Sequence, residues 1–188
     1  MNKLPFWLLL SVMLPRIGMA ASSLRLATPT QLSVPDVAVV DQMNQPLHFY
    51  RDLLKGKVVA ISFIYAACTT FCPLTGVVFS KAQQSLRGQL GKSVQLVSIS
   101  LDPANDTPDQ LAAWGKKFNA QAGWSLVTGH QESIEQLLKA FNVALTAKED
   151  HPPVLVVGDT TTNQWVWINS LVSAEQLVDL VNSLHHPK

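Results

Sequence analysis

The most constraining feature of this chain is the run Val58-Val59-Ala60-Ile61-Ser62-Phe63-Ile64-Tyr65, apolar, β-branched and aromatic with one small polar break. A strand with no polar alternation has no face for water, so it belongs in the middle of a sheet covered on both sides. Val94 to Leu101 repeats the pattern. Between the two, Leu74, Val77, Val78, Ala82 and Leu86 recur at helical spacing from Pro73 onward. Proline suits a first helical position, where its missing N–H would be unpaired anyway. Strand, helix and strand in this order predict a parallel crossover unit with a right-handed connection.

The flanking segments extend the unit. Val37 to Val40 and Leu47 to Phe49 surround Asp41-Gln42-Met43-Asn44-Gln45-Pro46 and predict an N-terminal β-hairpin. Thr107-Pro108-Asp109-Gln110 is a capping box opening a helix through Trp114 and Phe118, and Ile134, Leu137, Leu138 and Phe141 mark another. Val154 to Val157 and Trp165 to Ile168 read as a second hairpin across residues 158–164. Ser173-Ala174-Glu175-Gln176 caps a last helix with Leu177, Leu180, Val181 and Leu184 on its apolar face. A βαβ half followed by a ββα half is the thioredoxin-like arrangement: an α/β fold with a central mixed sheet flanked by helices.

Composition narrows the functional classes. In 188 residues, 14 Lys and Arg balance 13 Asp and Glu to a net charge of +1 with no run of like charges, so the chain lacks the footprint of a nucleic-acid binder. Charged residues make up 14%, against about 25% in average soluble domains, which raises the question of a membrane. The N-terminus has Lys3, an apolar stretch from Phe6 to Leu14, and Gly18-Met19-Ala20 as a small-x-small pattern. Residues 1–20 are therefore expected to be a cleaved signal peptide, and residues 21–35 a flexible leader to a domain over 36–188. The apolar stretch falls short of the roughly 20 residues a bilayer crossing wants, so no stable span is expected after cleavage. The expected location is the bacterial periplasm, the alternative being anchorage to the inner membrane by an uncleaved N-terminus.

Chemistry concentrates in Cys68-Thr69-Thr70-Phe71-Cys72-Pro73, in the turn between the first central strand and its helix. That is the carboxyl edge of a parallel strand, where α/β folds place their sites. A thiol there feels the positive end of the helix dipole, which lowers its pKa and frees a thiolate for metal or disulfide chemistry. The three-residue spacer, one longer than in thioredoxins, is wide enough for two sulfurs to face one ion. An inert structural staple is the plainer reading, but a bridge closing so short a loop gains little chain entropy.

His151, in Asp150-His151-Pro152-Pro153, immediately precedes the Val154 strand. In a thioredoxin-like sheet that loop lies against the cysteine loop, with Pro153 near the place of the thioredoxin cis proline. His48, His130, His185 and His186 read instead as solvated residues. Two thiolates and an imidazole form a soft, low-coordinate set that favours copper over a four-ligand structural zinc. Asp102, at the end of the second strand, reads either as a turn former or as a carboxylate supporting the site.

Four segments, Tyr65-Ala66-Ala67-Cys68-Thr69-Thr70-Phe71-Cys72-Pro73, Ser98-Ile99-Ser100-Leu101-Asp102-Pro103-Ala104-Asn105-Asp106-Thr107-Pro108, Trp124-Ser125-Leu126-Val127-Thr128-Gly129 and Asp150-His151, resemble the SCO/SenC family of thioredoxin-like copper chaperones. The resemblance runs from about Val37 to the last helix. It implies copper, as Cu(I) or Cu(II), held by Cys68, Cys72 and His151 with Asp102 in support. It also implies delivery of copper to the binuclear site of cytochrome c oxidase, or reduction of that site's cysteines. The partner is then a respiratory oxidase subunit or another periplasmic copper protein. Thr70, Ala66, Ala67 and Pro152 depart from the usual family pattern, as in a divergent member. The alternative is a metal-independent periplasmic thiol–disulfide oxidoreductase with Cys68 and Cys72 as its redox-active pair. A thiol peroxidase fits less well, because Tyr65 stands where such enzymes of similar fold carry Thr or Ser.

Overall fold

The computed structural model describes residues 31–143 and 153–185. The chain forms β1 (Ala38–Asp41), β2 (Pro46–His48), a π-helical turn (Phe49–Leu54), β3 (Val58–Ile64), α1 (Phe71–Ser85) and β4 (Val94–Ser100). There follow α2 (Pro108–Lys117), β5 (Trp124–Thr128), α3 (Gln131–Ala140), β6 (Leu155–Asp159), β7 (Gln164–Ile168) and α4 (Ala174–His185). One seven-stranded mixed sheet has the order β2-β1-β5-β4-β3-β6-β7. β3 is an interior strand, parallel to β4 and antiparallel to β6, and every residue of β3 and β4 is buried, as their mainly apolar runs require.

The N-terminal hairpin, both capping boxes and the C-terminal hairpin form where the sequence places them. Thr107 and Gln110 exchange side-chain-to-backbone bonds at α2, and Ser173 and Gln176 do so at α4. The π-helical turn is not legible in the periodicity; Asp36 Oδ1 holds its start by accepting the amides of Tyr50 and Arg51. Nor is β5 expected from the pattern. It pairs parallel to β4 and antiparallel to β1, joining the N-terminal hairpin to the central sheet.

Alternation along β3 and β4 divides the core into two faces. Val58, Ala60 and Ile64 point toward α1, α2 and α4, together with Phe79, Leu111, Trp114, Trp124 and Leu177. Val59, Ile61 and Phe63 point toward α3 and the π-helical turn, among Phe49, Phe141 and Trp165. Gly158 on β6 lies opposite Trp165 on β7, and a Cβ there would come within 2.1 Å of the indole, so the ring occupies the volume a side chain would need.

Helix α1 corrects the expectation in two respects. It begins at Phe71, so Pro73 is third rather than first, still within the opening turn whose amides have no helical acceptor. Its inner face matches the predicted one only in part: Ala82 and Leu86 are buried as expected, but Leu74 and Val77 are exposed, and Thr75, Gly76, Phe79 and Gln83 are buried instead. The reason is tertiary. At Gly76 the Phe118 ring packs so closely that a Cβ would sit 2.7 Å from it, and Gln83 bonds the Asn119 carbonyl and the Gln121 amide beyond α2.

Candidate metal and thiol site

The end of β3 delivers the cysteine loop. Ile64 pairs with Ser100, after which the chain turns, the Cys68 amide donating to the Tyr65 carbonyl at 3.1 Å. Cys68 leads into α1, whose second residue is Cys72. Both are free thiols and nearly buried, at 8% and 7% exposure. The Cys72 amide, in the first turn of α1, donates to Cys68 Sγ at 3.4 Å, and Thr70 Oγ1 lies 3.7 Å from the same sulfur. The opening amides of a helix are unpaired donors at its positive end, so a thiolate is the charge state that this geometry rewards.

The two thiols consequently differ. Burial pushes Cys68 up, but hydrogen bonds from the Cys72 side chain and amide and from Thr70 together outweigh it, leaving this thiol below its ordinary value of 9.0. Burial acts on Cys72 too, and its bond to the Cys68 sulfur adds to it, so that thiol is pushed up to about 12. Cys68 is therefore the more acidic of the two thiols, and Cys72 the one that holds its proton more tightly.

The other predicted site residues are reached unequally. β6 runs antiparallel to β3 with Leu155 opposite Ser62, so the chain enters β6 at the edge from which the cysteine loop leaves, Pro153 lying just upstream. His151 itself lies outside the described residues. Among the described residues no cluster of three His, Cys, Asp or Glu side chains forms. Asp102 sits in the turn after β4: Asn105 Nδ2 donates to both of its carboxylate oxygens, and its carbonyl accepts the amides of Asn105 and Asp106. A carboxylate that the sequence reading did not nominate, that of Asp106, reaches the cysteine loop: it accepts the Ala66 amide at 3.0 Å and the Ser100 hydroxyl at 2.6 Å. In the sequence reading Asp106 stands only within segment 98–108 and has no site role; the signal that could have found it is an Asp directly before the N-cap of α2, level with the end of β4.

His48 and His130 are on the surface, His48 beside Asp36. Phe71, Leu74 and Val77 form an exposed apolar stripe on α1 that starts next to Cys72. Among the described residues no helix is long and apolar enough to cross a membrane.

Comparison with known proteins agrees with this architecture. The SCO1/SenC family model matches residues 33–166. A Stutzerimonas stutzeri protein whose name describes it as copper-binding is 32% identical over 141 residues, 72% of this chain and 67% of that one. Across the curated relatives the match spans between 37% and 67% of their own length. The crystal structure of a SCO1/SenC family lipoprotein from Bacillus anthracis superposes with a TM-score of 0.68 at 26% identity, covering 84% of this chain and 98% of that one. BsSco, a member of the Sco family of cytochrome c oxidase assembly proteins in which a disulfide switch was identified, gives a TM-score of 0.64 at 25% identity, over 85% and 97%. With its central sheet, its cysteine loop at the carboxyl edge and a family match over most of its length, the chain belongs to the SCO1/SenC family and has its thioredoxin-like fold.

Proposed function

We propose that this chain is an exported copper metallochaperone that holds one copper ion through Cys68, Cys72 and His151. It delivers that ion to, or reduces the cysteines of, the copper site of a respiratory oxidase. The observation that carries the reading is the unequal thiol pair at the mouth of α1: one sulfur is set to be a thiolate and its neighbour is ready to lose a proton when a soft cation arrives. The copper-binding relative and the oxidase-assembly neighbour support the cargo and the pathway. His151 supports the set because the strand after it enters at the cysteine edge, and an imidazole lets the site take Cu(II) as well as Cu(I). Periplasmic location rests on the N-terminal signal pattern and on the lipoprotein relative. The client meets an apolar surface around Phe71 and Leu74 rather than a charged patch.

Copper stoichiometry and absorption of the reduced protein test this. Wild type should bind one equivalent with a thiolate-to-Cu(II) charge-transfer band. Cys68→Ser should abolish the band and His151→Ala should weaken Cu(II) binding with the fold intact. Undiminished binding by either variant removes that residue from the site.

The same thiol asymmetry favours a second reading, a metal-independent thiol–disulfide oxidoreductase. The Cys68 thiolate attacks one sulfur of a client disulfide, forming a mixed disulfide and expelling a client thiolate. Cys72 gives up its proton and attacks the Cys68 sulfur, closing Cys68–Cys72 and releasing the second client thiolate. Two electrons pass from the pair to the client, and an external dithiol must reduce the pair again. In this reading His151→Ala leaves turnover of a disulfide substrate unchanged.

A further inference from the structure

Asp106 occupies a position that the copper ligands alone do not explain. The residue is 97% buried, at the corner where three segments meet: the start of the cysteine loop, the end of β4 and the approach to α2. A carboxylate so placed needs donors to offset lost hydration, and they come from across the chain. Oδ1 accepts the amide of Ala66, 40 residues away, and Oδ2 accepts the hydroxyl of Ser100. Ser100 Oγ in turn accepts the Asp102 amide at 3.0 Å, and the Asp106 amide donates to the Asp102 carbonyl at 2.8 Å, so the carboxylate is braced from both sides. Ala66 is the first residue inside the turn that the Cys68 amide closes on Tyr65. Fixing the Ala66 amide therefore fixes where the turn delivers the Cys68 sulfur relative to the first amides of α1.

We propose that Asp106 is a positioning residue for Cys68: its buried carboxylate clamps the Ala66 amide to the end of β4 and so holds the cysteine loop in the dithiol geometry from which Cys68 acts. The inference rests on the reading of Cys68 and Cys72 as the working pair, whatever their cargo. Because the clamp holds the dithiol arrangement, losing it disfavours that form. The equilibrium in which the dithiol and oxidised glutathione give the Cys68–Cys72 disulfide and two reduced glutathione then moves toward disulfide, and copper affinity falls with it.

The test measures the glutathione equilibrium constant of the metal-free protein and the Cu(II) dissociation constant in wild type, Asp106→Ala and Asp106→Asn. Asp106→Ala should shift the first by about tenfold toward disulfide and weaken the second by about tenfold, the range expected for one buried charged hydrogen bond. Asp106→Asn keeps an acceptor for Ala66 and offers Ser100 a donor, so both quantities should return toward wild type. A purely structural role lowers resistance to urea without moving either quantity in the folded protein, and that result overturns the proposal. If Asp106→Ala does not fold, Ser100→Ala decides: by removing one brace it should shift both quantities the same way by a smaller factor, and wild-type values overturn the proposal. Wild type that binds no copper would end the metallochaperone reading while the glutathione equilibrium still tested the clamp.

Discussion

The two faces of the sheet are built differently. The face under α3 and the π-helical turn is organised around one aromatic hub: Phe141 contacts Phe49, Phe63 and Trp165, with ring centroids 5.8 to 6.2 Å apart. The face under α1, α2 and α4 carries a polar seam. Ser62 Oγ and Ser98 Oγ are 2.8 Å apart, Trp124 Nε1 donates to Ser98, and Ser100 continues the seam to Asp106 below the cysteine loop. An aromatic core stabilises but positions nothing in particular, whereas a buried polar seam is favourable only when every member is bonded, and so dictates one arrangement. The chemistry sits on the face that uses polar groups for specificity.

The largest effects should separate the faces outright. Phe141→Ala removes the hub of the aromatic face and should cost about 3–5 kcal/mol in urea unfolding, with copper stoichiometry unchanged in the folded protein. Cys68→Ser should do the reverse, eliminating the charge-transfer band with little change in stability. If Phe141→Ala alters the copper spectrum, the faces are coupled and the contrast fails.

Ser98→Ala, in the seam, leaves Trp124 Nε1 and Ser62 without this partner and should cost about 1–3 kcal/mol by the same assay. A cost near zero would mean that the seam accepts water or repacks.

The thiols give a pH signature confined to one face. Cys68, held below its ordinary value, should be alkylated by iodoacetamide well before Cys72 at pH 7–8, as followed by peptide mass spectrometry. Because folding raises Cys72 from 9.0 to about 12, the stability it adds as a buried neutral thiol is complete below pH 9. It is lost as pH climbs toward 12. Cys72→Ala should therefore flatten the alkaline fall in stability, read as the difference from wild type; equal slopes would contradict the assignment.

The smallest effect belongs to the outer side of α1. Leu74 is 49% exposed despite its place in the apolar pattern, so Leu74→Ser should change stability by no more than about 0.5 kcal/mol. A larger loss would restore Leu74 to the core.

Much of the fold can be read from local chemistry. The mainly apolar runs of β3 and β4, the reciprocal capping boxes at Thr107 and Ser173, and the cysteines placed between strand and helix are all statements about neighbours in the chain. Periods and caps act over a few residues and leave a mark in the sequence. The inner face of α1 left a mark only at Ala82 and Leu86, because Gly76 and Gln83 are chosen by Phe118, Asn119 and Gln121 rather than by the helix's own period. β5 was legible as a motif but not as a strand, since its role depends on β1 and β4 lying on either side.

The site divides in the same way. The sequence by itself determined that two thiols stand at the start of a helix after a buried strand, and it nominated His151 and Asp102 beside them. Only the tertiary structure decided that Cys68 and Cys72 differ in acidity and that Asp106 bonds the cysteine loop. It did so because burial and hydrogen bonds between segments 40 residues apart in sequence exist only once β3, β4 and the approach to α2 have met.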